Sequence, residues 1–543
     1  MAIINTTRLI VPILLSCLIA PAAFAESGRA DYDLDDDGLI EINSLADLDE
    51  IRNNLDGTSL YGESTGCPEA GCNGFELTTT LDFDTNADGK MDENDAYWNG
   101  GEGWVPIGDI DNWFVAIFHG NNYQIKNMYI VGSSEQPVGL FGVVAGDLST
   151  VRNLGLTGEL VVLADARYVG TIAGVGFQGA AFNSIYSSGR VQGGPYVGGL
   201  VGALSTYATI DNSFSTSEVI SYGEMGGYGD FGNFGGLAGG ILNSSIRNSF
   251  ATGSVAGMES VGGLVGSSIE NGSIQNSFSI GLVSVSDTYG GGLMGYEDAD
   301  SVITNSHWAI DTSGQLTSDG ESDIDNYFGA TLAELQCPTS SDDTECLMNY
   351  TLYPTWDSSV WDFGTSSELP GLIIDGVVYR DGDADGALDV NHAPEVAFVL
   401  TQNGDEVYDI TIGDGDVTLE AVITDQDASD HHTLSWIYED VTVISETETS
   451  VTFSSDNLIV GDYTISAVVT DNRFPVMSGN SEITFSVEAV PVDPVVVEPD
   501  PSPEVTPSSK SSGGGSMNFY WLMLISGFLL VGRRTVYCGI TKI

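Results

Sequence analysis

A short phrase, apolar-Gly-Gly-Leu-apolar-Gly, returns six times between residues 138 and 295, and nothing else in the chain restricts its fold as severely. The copies are Val138 to Gly142, Val169 to Gly174, Val197 to Gly202, Phe234 to Gly239, Val261 to Gly266 and Gly290 to Gly295, with starts 31, 28, 37, 27 and 29 residues apart. A second phrase follows each copy at a nearly constant offset: Val151-Arg152-Asn153, Phe182-Asn183-Ser184, then Ile210 to Phe214, Ile246 to Phe250, Ile274 to Phe278 and Ile303 to His307. A unit of that length, built from short β-type runs with Gly, Ser and Asn in place of helix formers, cannot cover its own apolar side and must stack on its neighbours. The pattern predicts a parallel β-solenoid whose coils hydrogen-bond to one another at about 4.8 Å. The recurring Gly predicts a corner with no room for a Cβ, or one needing positive φ. The recurring Asn is open to two readings, an inward ladder of side-chain amides or a left-handed turn residue. The Ile and Phe beside it read as core.

Over residues 100–310 the paired phrases resemble the GLUG-motif family of bacterial surface proteins, which includes adhesins and immunoglobulin-A protease leader regions. The resemblance implies a surface scaffold and no reaction. Two copies depart from the pattern: the one at 138 has one Gly fewer, and the one at 169 places Thr171-Ile172 where Gly-Leu stands elsewhere. The run from Gly103 to Gly108 through Ile125 to Tyr129 reads as the first coil.

Past the repeats, alternating runs at 396–400, 417–422, 434–438, 451–453, 463–469 and 483–487 are separated by Gly, Asp and Asn turns. Such short strands in so little chain predict an immunoglobulin-like β-sandwich. Thr424-Asp425 with Asp427, Leu434 to Trp436 and Gly461 to Thr464 resemble polycystic-kidney-disease-type or cadherin-like domains, which makes Trp436 the expected core residue. The expected fold class is therefore all-β, a parallel β-solenoid (β-helix) followed by an immunoglobulin-like β-sandwich. The expected divisions are a signal peptide at 1–25, an acidic region with calcium loops at 26–99, the solenoid at 100–310, its C-terminal cap and junction at 311–392, the sandwich at 393–490, a Pro/Gly/Ser-rich linker at 491–515 and a membrane segment with a basic tail at 516–543.

Arg8, the apolar stretch Leu9 to Ala20 and Ala23-Phe24-Ala25 read as a secretory signal cut before Glu26. At the other end Gly513-Gly514-Gly515-Ser516, an apolar segment from Met517 to Val531 and Arg533-Arg534 resemble the GlyGly-CTERM sorting tail of Gram-negative bacteria. That resemblance implies processing by a rhombosortase-type protease, although nine further residues follow the Arg pair. The plainer alternative is a permanent anchor, for which the apolar segment is short. Either reading puts the protein at the cell surface or in the medium, with membrane contact only through this segment. A formal net charge of −62 repels phosphate backbones, so nucleic acid is excluded as a partner, while divalent cations are attracted.

Asp84, Asn86, Asp88, Lys90, Asp92 and Asp95, with Gly89 at the turn, fit positions 1, 3, 5, 7, 9 and 12 of an EF-hand loop. Alternating oxygen donors around an obligatory Gly wrap one calcium ion, which is the expected cofactor. Asp33, Asp35, Asp37 and Gly38 match the first half of such a loop, with Glu41 at position 9 and Ser44 at position 12. Asp381, Asp383, Asp385, Gly386 and Asp389 do the same, with His392 last. These two would need a residue elsewhere to complete the shell. The pairs Cys67–Cys72 and Cys337–Cys346 read as local disulfides suited to an oxidising compartment, with zinc binding as the alternative.

Five His, none in a zincin pattern, and no nucleophile elbow or phosphate loop argue against catalysis. The preferred function is a non-catalytic, secreted or cell-surface adhesin-like protein whose solenoid displays a binding face to a glycan or a cell-surface ligand. Trp98, Tyr168, Tyr186 and Tyr196 are the aromatic candidates for stacking on sugar rings. The alternatives are a β-helix polysaccharide lyase or hydrolase using paired carboxylates, for which the few repeat cations, such as Arg152 and Arg247, look architectural, and a purely structural matrix component.

Overall fold

The computed structural model describes residues 29–133, 136–222, 232–320, 329–336, 352–364, 367–427, 429–439 and 441–489. The signal, the linker, the C-terminal segment and the Cys337–Cys346 pair lie outside them. Successive coils pair in parallel into four long sheets, one of 16 strands, two of six and one of five, which together wall a rod.

The repeat phrase sets the register. Val138 lies opposite Val169, Val169 opposite Val197, Val197 opposite Phe234, Phe234 opposite Val261 and Val261 opposite Gly290. Val151, Phe182, Ile210, Ile246, Ile274 and Ile303 likewise form one row. The unequal intervals leave these rows intact; the longest places its additional residues between the strands ending at Ser221 and starting at Asn233. Leu140, Ile172, Leu200, Leu237, Leu264 and Leu293 are all fully buried along the axis. Each coil thus supplies the apolar lid its neighbour lacks.

Close approach, not backbone conformation, explains the repeat Gly. A methyl on Gly199, Gly236 or Gly263 would overlap the carbonyl oxygen of Gly236, Gly263 or Gly292 in the next coil, and none of these three has positive φ. The Asn positions are left-handed turn residues that also form an amide ladder, though not an inward one. Asn122, Asn153, Asn212, Asn248, Asn276 and Asn305 all have left-handed φ between 46° and 61°, and their amides form a ladder. Asn153 donates to Asn122 at 3.3 Å, Asn248 to Asn212 and Asn276 to Asn248 at 3.2 Å, and Asn305 to Asn276 at 3.4 Å. The ladder runs along a partly exposed corner, not inward. The inward role belongs to the neighbouring Ser: the buried hydroxyls of Ser213, Ser249, Ser277 and Ser306 accept the N–H groups of Ile185, Ser213, Ser249 and Ser277, satisfying donors that the bend removes from the sheet ladder.

Two expected boundaries move. Leu39–Ile42 pairs with Gly74–Leu77, which pairs with Ile117–His119, so the solenoid begins near residue 39 and residues 39–99 form its first coils. These coils lack the Gly-Leu phrase, which is why repetition did not mark them. The segment 311–392 is more than an end cap. Gly329–Ala330 extends the ladder beyond Trp308, but the antiparallel strands Trp361–Asp362, Gly371–Ile374 and Val377–Tyr379 pack along the flank. There Tyr186, Phe214, Phe250 and Phe278 stack outward with centroids 4.8 to 5.0 Å apart and planes within 7° of parallel. Trp356, Trp361 and Tyr379 cover them.

All six expected sandwich runs are strands, arranged in a five-stranded and a four-stranded sheet. Leu400, Ile410, Val417, Leu419, Val451, Phe453, Ile465 and Phe485 fill the space between them. Trp436 is only partly buried and packs on Phe398 at 5.7 Å. Phe474 leaves the sandwich to stack on Tyr379 at 4.7 Å and meet Tyr186 edge-on at 5.8 Å.

Candidate functional site

Directly after the final Gly of the phrase, each of the first five copies presents one position outward from the rod. In register these are Val143, Val175, Ala203, Gly240 and Ser267. The middle of the row is small, so it forms the floor of a groove of about 320 Å³. Tyr168 and Tyr196 make one wall, stacked at 5.2 Å and 27°, and the Tyr196 ring leans over Gly240. Phe177, Leu242 and Ile269 make the other wall, and Ile110 with Trp113 closes one end. Trp113 meets Phe177 edge-on at 5.6 Å and 82°. Trp113, Leu242 and Ile269 are 36 to 39% exposed, which is unusual for large apolar groups grouped together. No carboxylate, Lys, Arg or His is among the lining residues.

Of the expected stacking residues, then, Tyr168 and Tyr196 line the groove. Tyr186 is buried beneath the flank, and partly buried Trp98 lies flat on Tyr129 at 4.9 Å. Trp113, Phe177 and the small floor were missed by sequence reading. Aligning the residue that directly follows the final Gly of each phrase would have found the floor; Trp113, in a loop without a repeat signal, offered nothing to align. Arg152 and Arg247 share a row through Asn183 and Asp211, and Arg247 is paired with Asp211 at 2.8 Å.

The three acidic loops share one backbone. Positions 4 and 6 have positive φ in each: Asp36 and Gly38, Ala87 and Gly89, Ala384 and Gly386. The position-1 carboxylate receives the N–H groups of positions 5 and 6: Asp37 and Gly38 donate to Asp33 at 3.0 and 2.9 Å, Asp88 and Gly89 to Asp84 at 3.2 and 2.7 Å, Asp385 and Gly386 to Asp381 at 3.0 and 3.1 Å. The position-3 side chains of Asp35, Asn86 and Asp383 accept from position 5 as well, and the position-5 carboxylates of Asp37, Asp88 and Asp385 accept from Leu39, Lys90 and Ala387. Within each of the sets Asp33/Asp35/Asp37 and Asp381/Asp383/Asp385, carboxylate oxygens lie within 4.8 Å of one another.

The loops differ in how they close. In the loop at 84 the carboxylate of Asp95, at position 12, accepts from Thr85 at 2.7 Å and from Asp92 at 2.8 Å. Burial pushes Asp95 up, but its hydrogen bonds from Asp92, Thr85 and Asn86 outweigh this and hold its carboxyl below the usual range. In the other two loops position 9 takes over: Leu34 donates to Glu41, and Gly382 to Asp389 at 2.8 Å. Their position-12 residues are engaged elsewhere, Ser44 as the N-cap of the helix Leu45–Glu50 and His392 on Asp427. Burial raises Asp33 and Glu41, and pushes Asp381 up to about 7 with help from Asp389 and Asp385. Arg473 of the sandwich binds Asp389 at 2.9 Å, Asp430 at 2.7 Å and Glu368 at 3.2 Å, locking the third loop to the domain that follows it. Beside the first loop Cys67 and Cys72 form a disulfide with Cα atoms 5.3 Å apart.

The GLUG motif matches residues 193–220, a window holding one copy of each repeat phrase. Over 291 residues the chain is 28% identical to halomucin of Haloquadratum walsbyi, covering 52% of this chain and 3% of that protein. Over 134 residues it is 34% identical to a protein of Evansella cellulosilytica described as a Gly-rich membrane protein, covering 24% of this chain and 13% of that one. The chain thus corresponds to a small part of the length of either relative. Among solved structures, one from Bacteroides ovatus named as an immunoglobulin A1 protease aligns at a TM-score of 0.41 and 18% identity, covering 60% of this chain and 90% of that one.

Proposed function

We propose that this chain is a non-catalytic, secreted or cell-surface adhesin-like scaffold that holds a neutral glycan in the Tyr168–Tyr196–Trp113 groove of its solenoid and is stabilised by calcium in its acidic loops. The groove carries the proposal. Its aromatic faces suit the C–H faces of sugar rings, its small floor admits a chain of rings, and a lining without charged groups supports holding over bond cleavage. The surplus of carboxylates on the rest of the protein disfavours uronate, sialylated or sulfated glycans. The GLUG match and the likeness to stretches of halomucin and of a Gly-rich membrane protein support placement at the surface, delivered by the N-terminal signal and sorted through a rhombosortase-type tail. For calcium, the support is the common geometry of Asp84, Asn86, Asp88, Lys90, Asp92 and Asp95 and of the loops starting at Asp33 and Asp381.

Screening the full-length chain against a glycan array, with product release assayed on the same oligosaccharides, tests this. Neutral glycans are retained uncleaved, and Trp113→Ala weakens retention by about tenfold, as loss of one stacking platform implies. Release of products, or retention that ignores Trp113, overturns the reading.

A further inference from the structure

We propose that Glu41 completes a divalent-cation site with Asp33, Asp35 and Asp37, and that the bound ion caps the N-terminal edge of the solenoid. The inference rests on the calcium reading of the acidic loops and adds to it a ligand, Glu41, and a mechanical role.

Glu41 is only 3% exposed. One carboxylate oxygen bends over the loop to accept the N–H of Leu34, whereas the other, Oε2, is buried without any hydrogen-bond partner. Asp33 beside it is fully buried. The nearby cation does not neutralise them: Arg29 pairs with Asp47 at 2.6 Å and reaches only the main-chain oxygen of Glu41, at 2.7 Å. Two buried carboxylates next to Asp35 and Asp37 thus have no compensating charge, an arrangement that is unfavourable without a counter-ion. A hard cation seeking about six to eight oxygens supplies that charge. The three Asp carboxylates, the Leu39 carbonyl at position 7 and both oxygens of Glu41 provide them, which leaves Ser44 free for its helix.

The placement gives the ion its role. Leu39–Ile42, which carries Glu41, is the terminal strand of the 16-stranded sheet, and its outer side is held not by a further strand but by single contacts, Glu41 N–H on the Tyr32 carbonyl, Leu39 N–H on Asp37 and Arg29 on the Glu41 carbonyl, so it depends on the Asp33 loop for cover. An ion shared by the loop before this strand and a side chain within it fastens one to the other. The Cys67–Cys72 disulfide holds the far side, with Cys72 Sγ 3.5 Å from Asp33 Oδ2.

The test combines native mass spectrometry of the full-length chain in calcium with amide exchange in calcium and in chelator. Glu41→Gln is expected to bind one ion fewer than the parent and to lose calcium-dependent protection at 39–42 and 74–77. Asp84→Asn should lose one ion and keep that protection. Should Glu41→Gln fail to fold, the parent decides: exchange at 39–42 that calcium does not slow overturns the proposal. A parent that binds no calcium sinks the loop reading altogether; a parent that binds ions while Glu41→Gln binds as many sinks this inference alone.

Discussion

At the corner of each coil, one residue must accept left-handed backbone and also hand a hydrogen bond to the coil beside it. Asn does both, because its short amide tolerates positive φ and has a donor and an acceptor on opposite sides. Ser184 occupies this corner with φ 54° between Asn153 and Asn212 and turns its hydroxyl to its own neighbour Asn183 instead, so the amide ladder is interrupted there. Ser184→Asn is therefore expected to stabilise the chain by about 1 kcal/mol, the worth of one added hydrogen bond and a relaxed turn. A urea midpoint that moves upward at unchanged slope is the expected result, and a midpoint that falls refutes a stabilising role for the ladder.

Among the elements, the stacked column of Tyr186, Phe214, Phe250 and Phe278 is the joint between solenoid and flank. Phe250 is fully buried between two rings and under Trp361, so Phe250→Ala should cost about 3 to 4 kcal/mol. The indoles of Trp356 and Trp361 should gain water, read as a red shift in fluorescence before global unfolding. A change that leaves emission untouched would mean that the flank does not depend on the column. The periodic elements were legible: the rows through Val197 and Ile210 follow from spacing alone, because a side chain buried in every coil must recur in every coil. The first coils were not, since Leu39–Ile42 and Gly74–Leu77 are paired by contact with each other and by the Asp33 loop, without any repeated phrase. The groove was half legible. Tyr168 and Tyr196 were named, but that they face each other across one ladder, with Trp113 brought in from a loop, is a property of the stack. Nor does a template counted in sequence reveal that Glu41 and Asp389 close loops whose twelfth residues are employed elsewhere.

For the whole molecule, charge sets the response to pH. Burial pushes Glu297 up to about 7, with Asp319 and Asp298 adding to the shift. A carboxyl whose folded value lies above its unfolded one keeps a proton that the unfolded chain has shed, so its contribution to stability falls as pH rises from about 4 to about 7. Glu297→Gln removes that loss, and is expected to gain about 2 kcal/mol at pH 8, the full shift being discounted for the solvent that half-buried Glu297 still meets, and almost nothing at pH 4; equal gains at both, measured by chemical denaturation, would dismiss the assignment. The net charge of −62 acts in the same direction through self-repulsion. Length obeys a simpler rule. Because the rows through Val197 and Phe234 ignore what is inserted between strands, duplicating one coil as a cassette lengthens the trough by a single rung of about 4.8 Å. The length of that trough is thereby a matter of counting turns, adjustable in whole steps.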